Sequence, residues 1–378
     1  MIGILTFYWA DDYGALLQAY GLKTYLNKYQ ETIMIPYYPA ALRSRYRLLQ
    51  CSKQEGGLRN GYGIVRKMLG RRFRSDFVAK CKISRFRRKY LTAAKECLND
   101  SKEIYEFEKQ MDIYVVGSDQ VWNPDITEGF QEGYFCTFRT LRGEEARYVA
   151  YAPSIGSQRL EERYSQQFLE LLTNFDVVSL REPSAMPYMK EIYKGKLFAV
   201  LDPVFLLEKK EWERLIRTER RIKKDYIAVY YTEYNQAMAE YLQRLEKNTG
   251  LHVLILRPMQ EDVRWTDNQV YAKGCGLLEF LEWIYYAPYV VTNSFHGTAL
   301  SVIFHKQFVV FPHSVRNARI SDVLEVVGLK KRMAYTGDDV LHIDETIDWK
   351  RTDEALKEAV NASKAFIRKE ILKKPPED

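Results

Sequence analysis

Short apolar runs separated by amphipathic stretches recur along most of the chain, the pattern of strands alternating with helices. Residues 2–7 read as a first strand, residues 8–14 as a polar loop, and Leu16, Leu17, Tyr20, Leu22 and Leu26 mark a helix over residues 15–29. Residues 33–37 supply the next strand, so the chain opens as a β-α-β unit, which requires a parallel sheet. Further strands are expected at residues 112–116, 147–151 and 177–180, and the series closes near Leu201-Asp202-Pro203. After a charged connector at 208–224, a second series runs: strand 226–231, helix 236–248, strand 251–256, helix 276–286, strand 289–292, helix 298–304, strand 307–311. Residues 350–373 read as a last helix able to pack back across the junction. The fold class is therefore α/β, with two Rossmann-like domains facing a cleft: residues 1–205, residues 206–349, and a closing helix within 350–378. At 378 residues the chain exceeds what one ordinary core organises, which agrees.

Charge changes the picture in one place. Net charge is +7, yet residues 43–90 hold 16 Lys/Arg against two acids, Glu55 and Asp76. This basic insertion interrupts the first sheet. Ile64, Val65, Met68 and Leu69 stand at helical spacing with Arg66, Lys67, Arg71 and Arg72 beside them, which suits an anionic membrane surface or a solvated face. Its aromatic residues follow no nucleic-acid recognition module, so no nucleic acid is expected as a partner. The first ten residues show no charged leader, and no apolar run approaches a membrane span. Five widely spaced cysteines without a Cys-x-x-Cys pair argue against a disulfide framework and for a reduced, cytoplasmic setting.

In open α/β sheets, ligands lie outside the carboxyl ends of strands. Those ends carry Asp12-Tyr13-Gly14, Gly117-Ser118-Asp119-Gln120-Val121-Trp122, Arg181, and Thr292-Asn293-Ser294-Phe295-His296-Gly297-Thr298. The last segment reads as a strand ending at an imidazole and turning at Gly297 into a helix. Such a turn gathers orphan N–H groups, the positive end of a helix dipole and a titratable acid, the combination a small anion needs if it is to be protonated. The alternative is a hydrogen-bonded structural histidine. Asp119 and Gln120 suit sugar hydroxyls and Trp122 a sugar's C–H face, or else Trp122 is core and the acid closes a turn. Arg181 fits a carboxylate or phosphate clamp, or a salt bridge. Gly14 fits ligand approach or only a tight turn. Neither Gly-x-Gly-x-x-Gly nor a Walker A sequence occurs. His296, His305 and His313 lack metal-ligand spacing, so neither metal nor cofactor is expected.

These landmarks, in order, resemble the polysaccharide pyruvyl transferase family. The residues that carry the likeness are Ile2 to Phe7 with Asp12 to Tyr20 (Gln18 among them), Gly117 to Asn123, Tyr151-Ala152-Pro153-Ser154-Ile155-Gly156, Ser179-Leu180-Arg181-Glu182, Leu201-Asp202-Pro203 and Asn293 to Thr298. The resemblance spans roughly residues 1–325 apart from the basic insertion. It implies a GT-B-like fold, with an acceptor-side N-terminal and a donor-side C-terminal domain. It also implies transfer of pyruvate from phosphoenolpyruvate onto two hydroxyls of a cell-surface glycan precursor as a cyclic ketal. The acceptor is expected to be polyprenyl-diphosphate-linked, which would place the protein peripherally at the inner face of a membrane. The residues matching Arg181 and His296 belong to the family's donor site. His296 is the expected acid and Asp119 or Asp12 the base, with Ser294, Gly297, Thr298, Gly14, Gln18, Ser118 and Trp122 around the substrates. Some members carry arginine where this chain has Ser294, so a cation must come from elsewhere, such as Arg257, Arg316 or Arg319. Two other readings are a nucleotide-sugar glycosyltransferase in the same cleft and a non-catalytic, membrane-recruited scaffold.

Overall fold

A computed structural model of the protein describes residues 1–42, 71–92, 97–107, 111–142, 146–256, 263–314, 317–336 and 345–374. Two all-parallel sheets organise it. The first contains β1 (Ile2–Leu5), β2 (Thr32–Met34), β3 (Ile113–Val116), β4 (Arg147–Ala150), β5 (Val177–Leu180) and β6 (Leu197–Ala199), in the order β2-β1-β3-β4-β5-β6. The second contains β7 (Tyr226–Tyr230), β8 (His252–Leu256), β9 (Val270–Tyr271), β10 (Tyr289–Thr292) and β11 (Gln307–Val310), in the order β11-β10-β7-β8-β9. Strands covered by helices on both faces read as unbroken apolar runs, and β1, β3, β5 and β7 are buried at every position.

Strand order decides where ligands bind. In the first sheet the order reverses between β1 and β3, which pair in register from Ile2↔Ile113 to Leu5↔Val116. In the second it reverses between β7 and β10, paired from Tyr289↔Ile227 to Thr292↔Tyr230. The loops leaving those strands diverge to opposite faces of each sheet and leave a crevice, the switch point. Here the two switch points face each other.

The helices of nine or more residues among the described residues are α1 (Tyr13–Leu26), α2 (Arg71–Phe86), α3 (Glu162–Leu172), α4 (Gln236–Thr249), α5 (Leu277–Tyr286), α6 (Phe295–Ile303), α7 (Ala318–Val326) and α8 (Trp349–Phe366). α1 joins the lobes directly: the Tyr13 hydroxyl donates to Cys275 O at 2.6 Å, and the Tyr13 ring stacks on Phe280 of α5, centroids 4.5 Å apart. α8 returns the chain to the first sheet. Ser363 Oγ accepts from Leu201 N at 2.9 Å, Phe366 packs on Phe198 and Tyr151, and Arg147 Nε donates to Glu370 O at 2.7 Å.

The described part of the basic insertion also ties the lobes together. Ile83, Phe86 and Leu91 are buried. Arg87 donates to Tyr8 O, Ala10 O and Asp11 Oδ1 at 3.0, 3.2 and 2.9 Å. Lys82 meets Glu279 at 2.8 Å and Gly274 O at 2.9 Å. These cations serve internal contacts rather than an open face. The expected basic amphipathic stretch around residues 64–69 lies outside the described residues.

Candidate active site

Ser294, at the end of β10, has extended backbone (φ −106°, ψ 137°) and is the N-cap of α6, which begins at Phe295. His296 therefore sits in the first helical turn, and the expectation that Gly297 makes the turn is corrected. Gly297 is needed for close packing instead: a Cβ there would lie 2.4 Å from Thr292 Oγ1. Ser294 makes no side-chain capping bond, and Thr298 N is the first amide to bond back, to Ser294 O at 3.0 Å. The N–H groups of residues 295–297 are thus the orphan donors of this helix, and its first turn contains no acid. Asn293 fixes the loop opposite: its Oδ1 accepts from Thr232 N at 2.8 Å and its Nδ2 donates to Glu233 O at 2.9 Å.

Between the switch points lies a cleft of about 220 Å³. Phe7, Ala10, Asp12, Asp119 and Gln120 line it from the first lobe, and Thr232, Ser294, His296, His313 and Arg319 from the second. The charges segregate, with carboxylates on the N-terminal wall and imidazoles and a guanidinium on the C-terminal wall. Asp12 caps α1, its Oδ1 accepting from Ala15 N at 3.0 Å. Asp119 has φ +78°, a left-handed backbone uncommon outside glycine, and its Oδ1 accepts from Gln120 N at 2.8 Å. Of the three arginines named as sources of a cation, Arg319 lines this cleft, whereas Arg257 and Arg316 lie outside the described residues.

His296 borders this cleft with about a tenth of its side chain exposed. Gly14 makes room for it, since a Cβ there would lie 2.1 Å from Nδ1. Gly14 is thus a close-approach glycine within α1, not a turn glycine. Nε2 is enclosed without a hydrogen-bond partner, 3.9 Å from Asp202 Oδ2, which is beyond hydrogen-bonding range. Burial holds the imidazole below its ordinary pKa; Asp202, Asp119 and Asp12 oppose that and Arg181 adds to it. Burial alone would raise the Asp202 carboxyl, but Arg181, His296 and the Val204 N–H outweigh it, leaving Asp202 below the usual carboxylate range.

Several expected substrate contacts are placed elsewhere. Arg181 is buried beneath the cleft, its Nη1 donating to Asp202 Oδ2 at 2.6 Å and its guanidinium 5.1 Å from the Phe295 ring centroid. Ser118 is fully buried and donates to the same Asp202 oxygen at 3.0 Å. Gln18 is buried and bonded to Thr6 Oγ1 and Ala15 O. The Thr298 hydroxyl turns back to Ser294 O at 2.9 Å. Trp122 is no sugar platform: it is completely buried, donates to Tyr134 O at 2.9 Å and stacks on Phe135. Each side chain satisfies a buried polar group or fills core space, which removes it from the cleft surface. Asp202 appeared in the sequence only within the landmark Leu201-Asp202-Pro203, with no site role. Its signal was slight, an acid before proline, which reads as a helix-capping turn, and it does cap the following turn through Val204 N at 3.0 Å.

Among the described residues no cluster of three or more His, Cys, Asp or Glu is arranged to hold a metal, and no helix is long and apolar enough to cross a membrane.

The architecture is that of known two-domain enzymes. UDP-N-acetylglucosamine 2-epimerase from Rickettsia bellii superposes with a TM-score of 0.50 at 11% identity, covering 99% of each chain. The S. aureus MnaA–UDP co-structure gives 0.51 at 11% identity, covering 100% of this chain and 99% of that one. Another UDP-N-acetylglucosamine 2-epimerase structure gives 0.52 at 10% identity, with 100% and 98% covered. At such identity the likeness establishes the fold alone, a GT-B-like pair of Rossmann domains. No curated protein matches the chain. Sequence places it more narrowly, because one family model runs through both switch points, from the cap of α1 to just beyond β11. Over residues 12–315 it is that of polysaccharide pyruvyl transferases, and the protein belongs to this family of transferases.

Proposed function

We propose that the protein transfers the pyruvyl group of phosphoenolpyruvate onto two hydroxyls of a glycan as a cyclic ketal. The observation that carries this reading is the charge-divided cleft, with an open helix N-terminus, Arg319 and His296 facing the carboxylates of Asp12 and Asp119. The donor's phosphate and carboxylate occupy the N–H groups of residues 295–297 and the Arg319 side. Their charge favours the imidazolium and so offsets the burial that lowers the His296 pKa. His296 then delivers a proton to the methylene C3, and positive charge develops at C2. A sugar hydroxyl adds to C2 and gives its proton to Asp119. The C2–O bond to phosphate breaks, and a second hydroxyl adds at C2 to close the ketal. Of the two hydroxyl protons, one balances that placed on the new methyl and the other leaves with phosphate.

The acceptor in this reading is a polyprenyl-diphosphate-linked glycan, and residues 43–70, with seven Lys/Arg against Glu55, attach the protein reversibly to an anionic surface. At about 1 kcal/mol for each basic residue near such a surface, that segment is sufficient.

Thermal shift with phosphoenolpyruvate against UDP and UDP-N-acetylglucosamine separates this reading from a nucleotide-sugar transferase, because only a ligand that binds the folded state stabilises it. Phosphoenolpyruvate is expected to raise Tm and the uridine nucleotides to leave it unchanged; the reverse result favours the glycosyltransferase. His296→Ala should lower phosphate release from phosphoenolpyruvate, assayed with hexosides bearing free neighbouring hydroxyls, by about 10² to 10⁴, the usual contribution of a general acid. Undiminished release would remove His296 from the chemistry.

A further inference from the structure

We propose that Asp202 is the positioning residue for His296, a carboxylate fixed in the N-terminal lobe that orients the imidazole carried by the C-terminal lobe. The inference rests on the proposed role of His296. Its grounds are geometric. Asp202 Oδ2 is held by two buried donors, Arg181 Nη1 at 2.6 Å and Ser118 Oγ at 3.0 Å, and Oδ1 by Val204 N at 3.0 Å. The carboxylate is therefore held in place, and His296 Nε2 lies 3.9 Å from its Oδ2. That nitrogen is enclosed without a hydrogen-bond partner, and the carboxylate within 4 Å of it is that of Asp202. The ring's opposite edge lies over Gly14, beside the cleft wall formed by Asp12 and Ala15.

A shift of roughly 0.7 Å brings Nε2–H to the outer limit of hydrogen bonding with Oδ2, and such contacts commonly tighten only when substrate is bound. With Nε2–H turned to Asp202, Nδ1, on the ring edge beside Gly14, is the nitrogen left to carry the transferable proton. After that proton is delivered, the neutral ring keeps Nε2–H on the carboxylate, so the tautomer is set for the next cycle. Arg181 and Ser118 act one step further back by fixing the carboxylate. This accounts for an arginine at a strand end that lies beneath the cleft rather than in it.

The charged groups around the ring are Asp202, Arg181, Asp119 and Asp12. Ring titration in the full chain tests the proposal without needing an acceptor. The protein contains five histidines, so selective ¹³C-histidine labelling gives a spectrum in which His296 is assigned by its absence from His296→Asn. Asp202→Asn keeps an acceptor for Val204 N but removes the charge, and should move the His296 titration to lower pH. Ser118→Ala removes a donor competing for Oδ2, and should move it to higher pH. In the phosphate-release assay, Asp202→Asn should lower kcat by about one to two orders of magnitude, part of the 10² to 10⁴ an acid supplies, with KM for phosphoenolpyruvate within about twofold. Asp202→Glu should recover part of that loss.

Opposite shifts in the two variants support a directed interaction, since mere structural damage gives no such pair of signs. An unmoved His296 titration in both overturns the proposal. If Asp202→Asn fails to fold, the Ser118→Ala shift decides alone, an upward move supporting and no move overturning it. Phosphoenolpyruvate added to the wild-type chain reports separately on the donor reading. If it leaves the His296 titration unchanged, that reading fails, whatever the variants show.

Discussion

α1 and α6 meet N-terminus to N-terminus across the cleft, Gly14 against the ring of His296, and their first turns are built in opposite ways. α1 is closed by its own acid: Asp12 places a carboxylate at the positive end of the helix and fills the Ala15 N–H. α6 has Ser294 in the same capping position, but the hydroxyl does not cap and the first turn contains no acid. Two like ends would repel each other or compete for one anion. One end closed and one open leaves a single place for a negatively charged ligand and a carboxylate opposite it. Helix polarity alone therefore does not mark an anion site; the occupancy of the cap does.

The largest expected effect comes from removing the difference. Ser294→Asp gives α6 the acid that α1 has, and at 4 Å in a site of effective dielectric near 20 a like charge costs about 4 kcal/mol. Phosphoenolpyruvate affinity should fall by about 10² or more while Tm holds or rises; calorimetric titration checks the first and a thermal melt the second. Next comes the contact itself. In Gly14→Ala the new methyl displaces the imidazole, at a stability cost of about 1–3 kcal/mol from overpacking. Phosphate release per folded molecule should fall about 100-fold, since an ångström of misplacement can cost that much. An unchanged rate per folded molecule would say that the ring's place does not matter.

Asp12→Ala opens the closed end. It should cost about 0.5–2 kcal/mol of stability, the value of a lost cap, with little change in donor affinity if the donor sits on α6. The smallest effect concerns pH. Burial lowers the His296 pKa, so below the ordinary imidazole pKa of about 6.5 the unfolded chain binds a proton that the folded chain resists. Wild-type stability should therefore fall relative to His296→Asn as pH drops below about 6.5, and the difference should be flat above it. Denaturant melts from pH 5 to 7.5 measure this, and a difference flat throughout would contradict an imidazole pKa lowered by burial.

The alternation of apolar runs was enough to read most of the strands and the segments at their carboxyl ends, because strands buried on both faces leave a signal in the sequence, whereas the strand order that makes the switch points was not legible. β6 and β9 were not legible: β9 has two residues, and β6, at the sheet edge, is partly exposed, so neither presents an apolar run. The start of α6 was misread because Gly297 suggests a turn, whereas the structure uses it to let the helix approach Thr292. The serine before Phe295 was the better boundary signal, as serine favours N-caps. Trp122 showed how composition misleads, since an aromatic residue after a strand is as readily core as platform. Asp202 and His296 stand 94 positions apart in different lobes, and only the packing of the two lobes brings them together. Local pattern carries no such information.

The most direct measurement is a crystal structure of His296→Asn with phosphoenolpyruvate. The account places an anionic group of the donor within hydrogen-bonding distance of the amides of residues 295–297, with C3 facing position 296 and Asp12 and Asp119 across the cleft. Donor density at α1, at the basic insertion or nowhere in the cleft would contradict it.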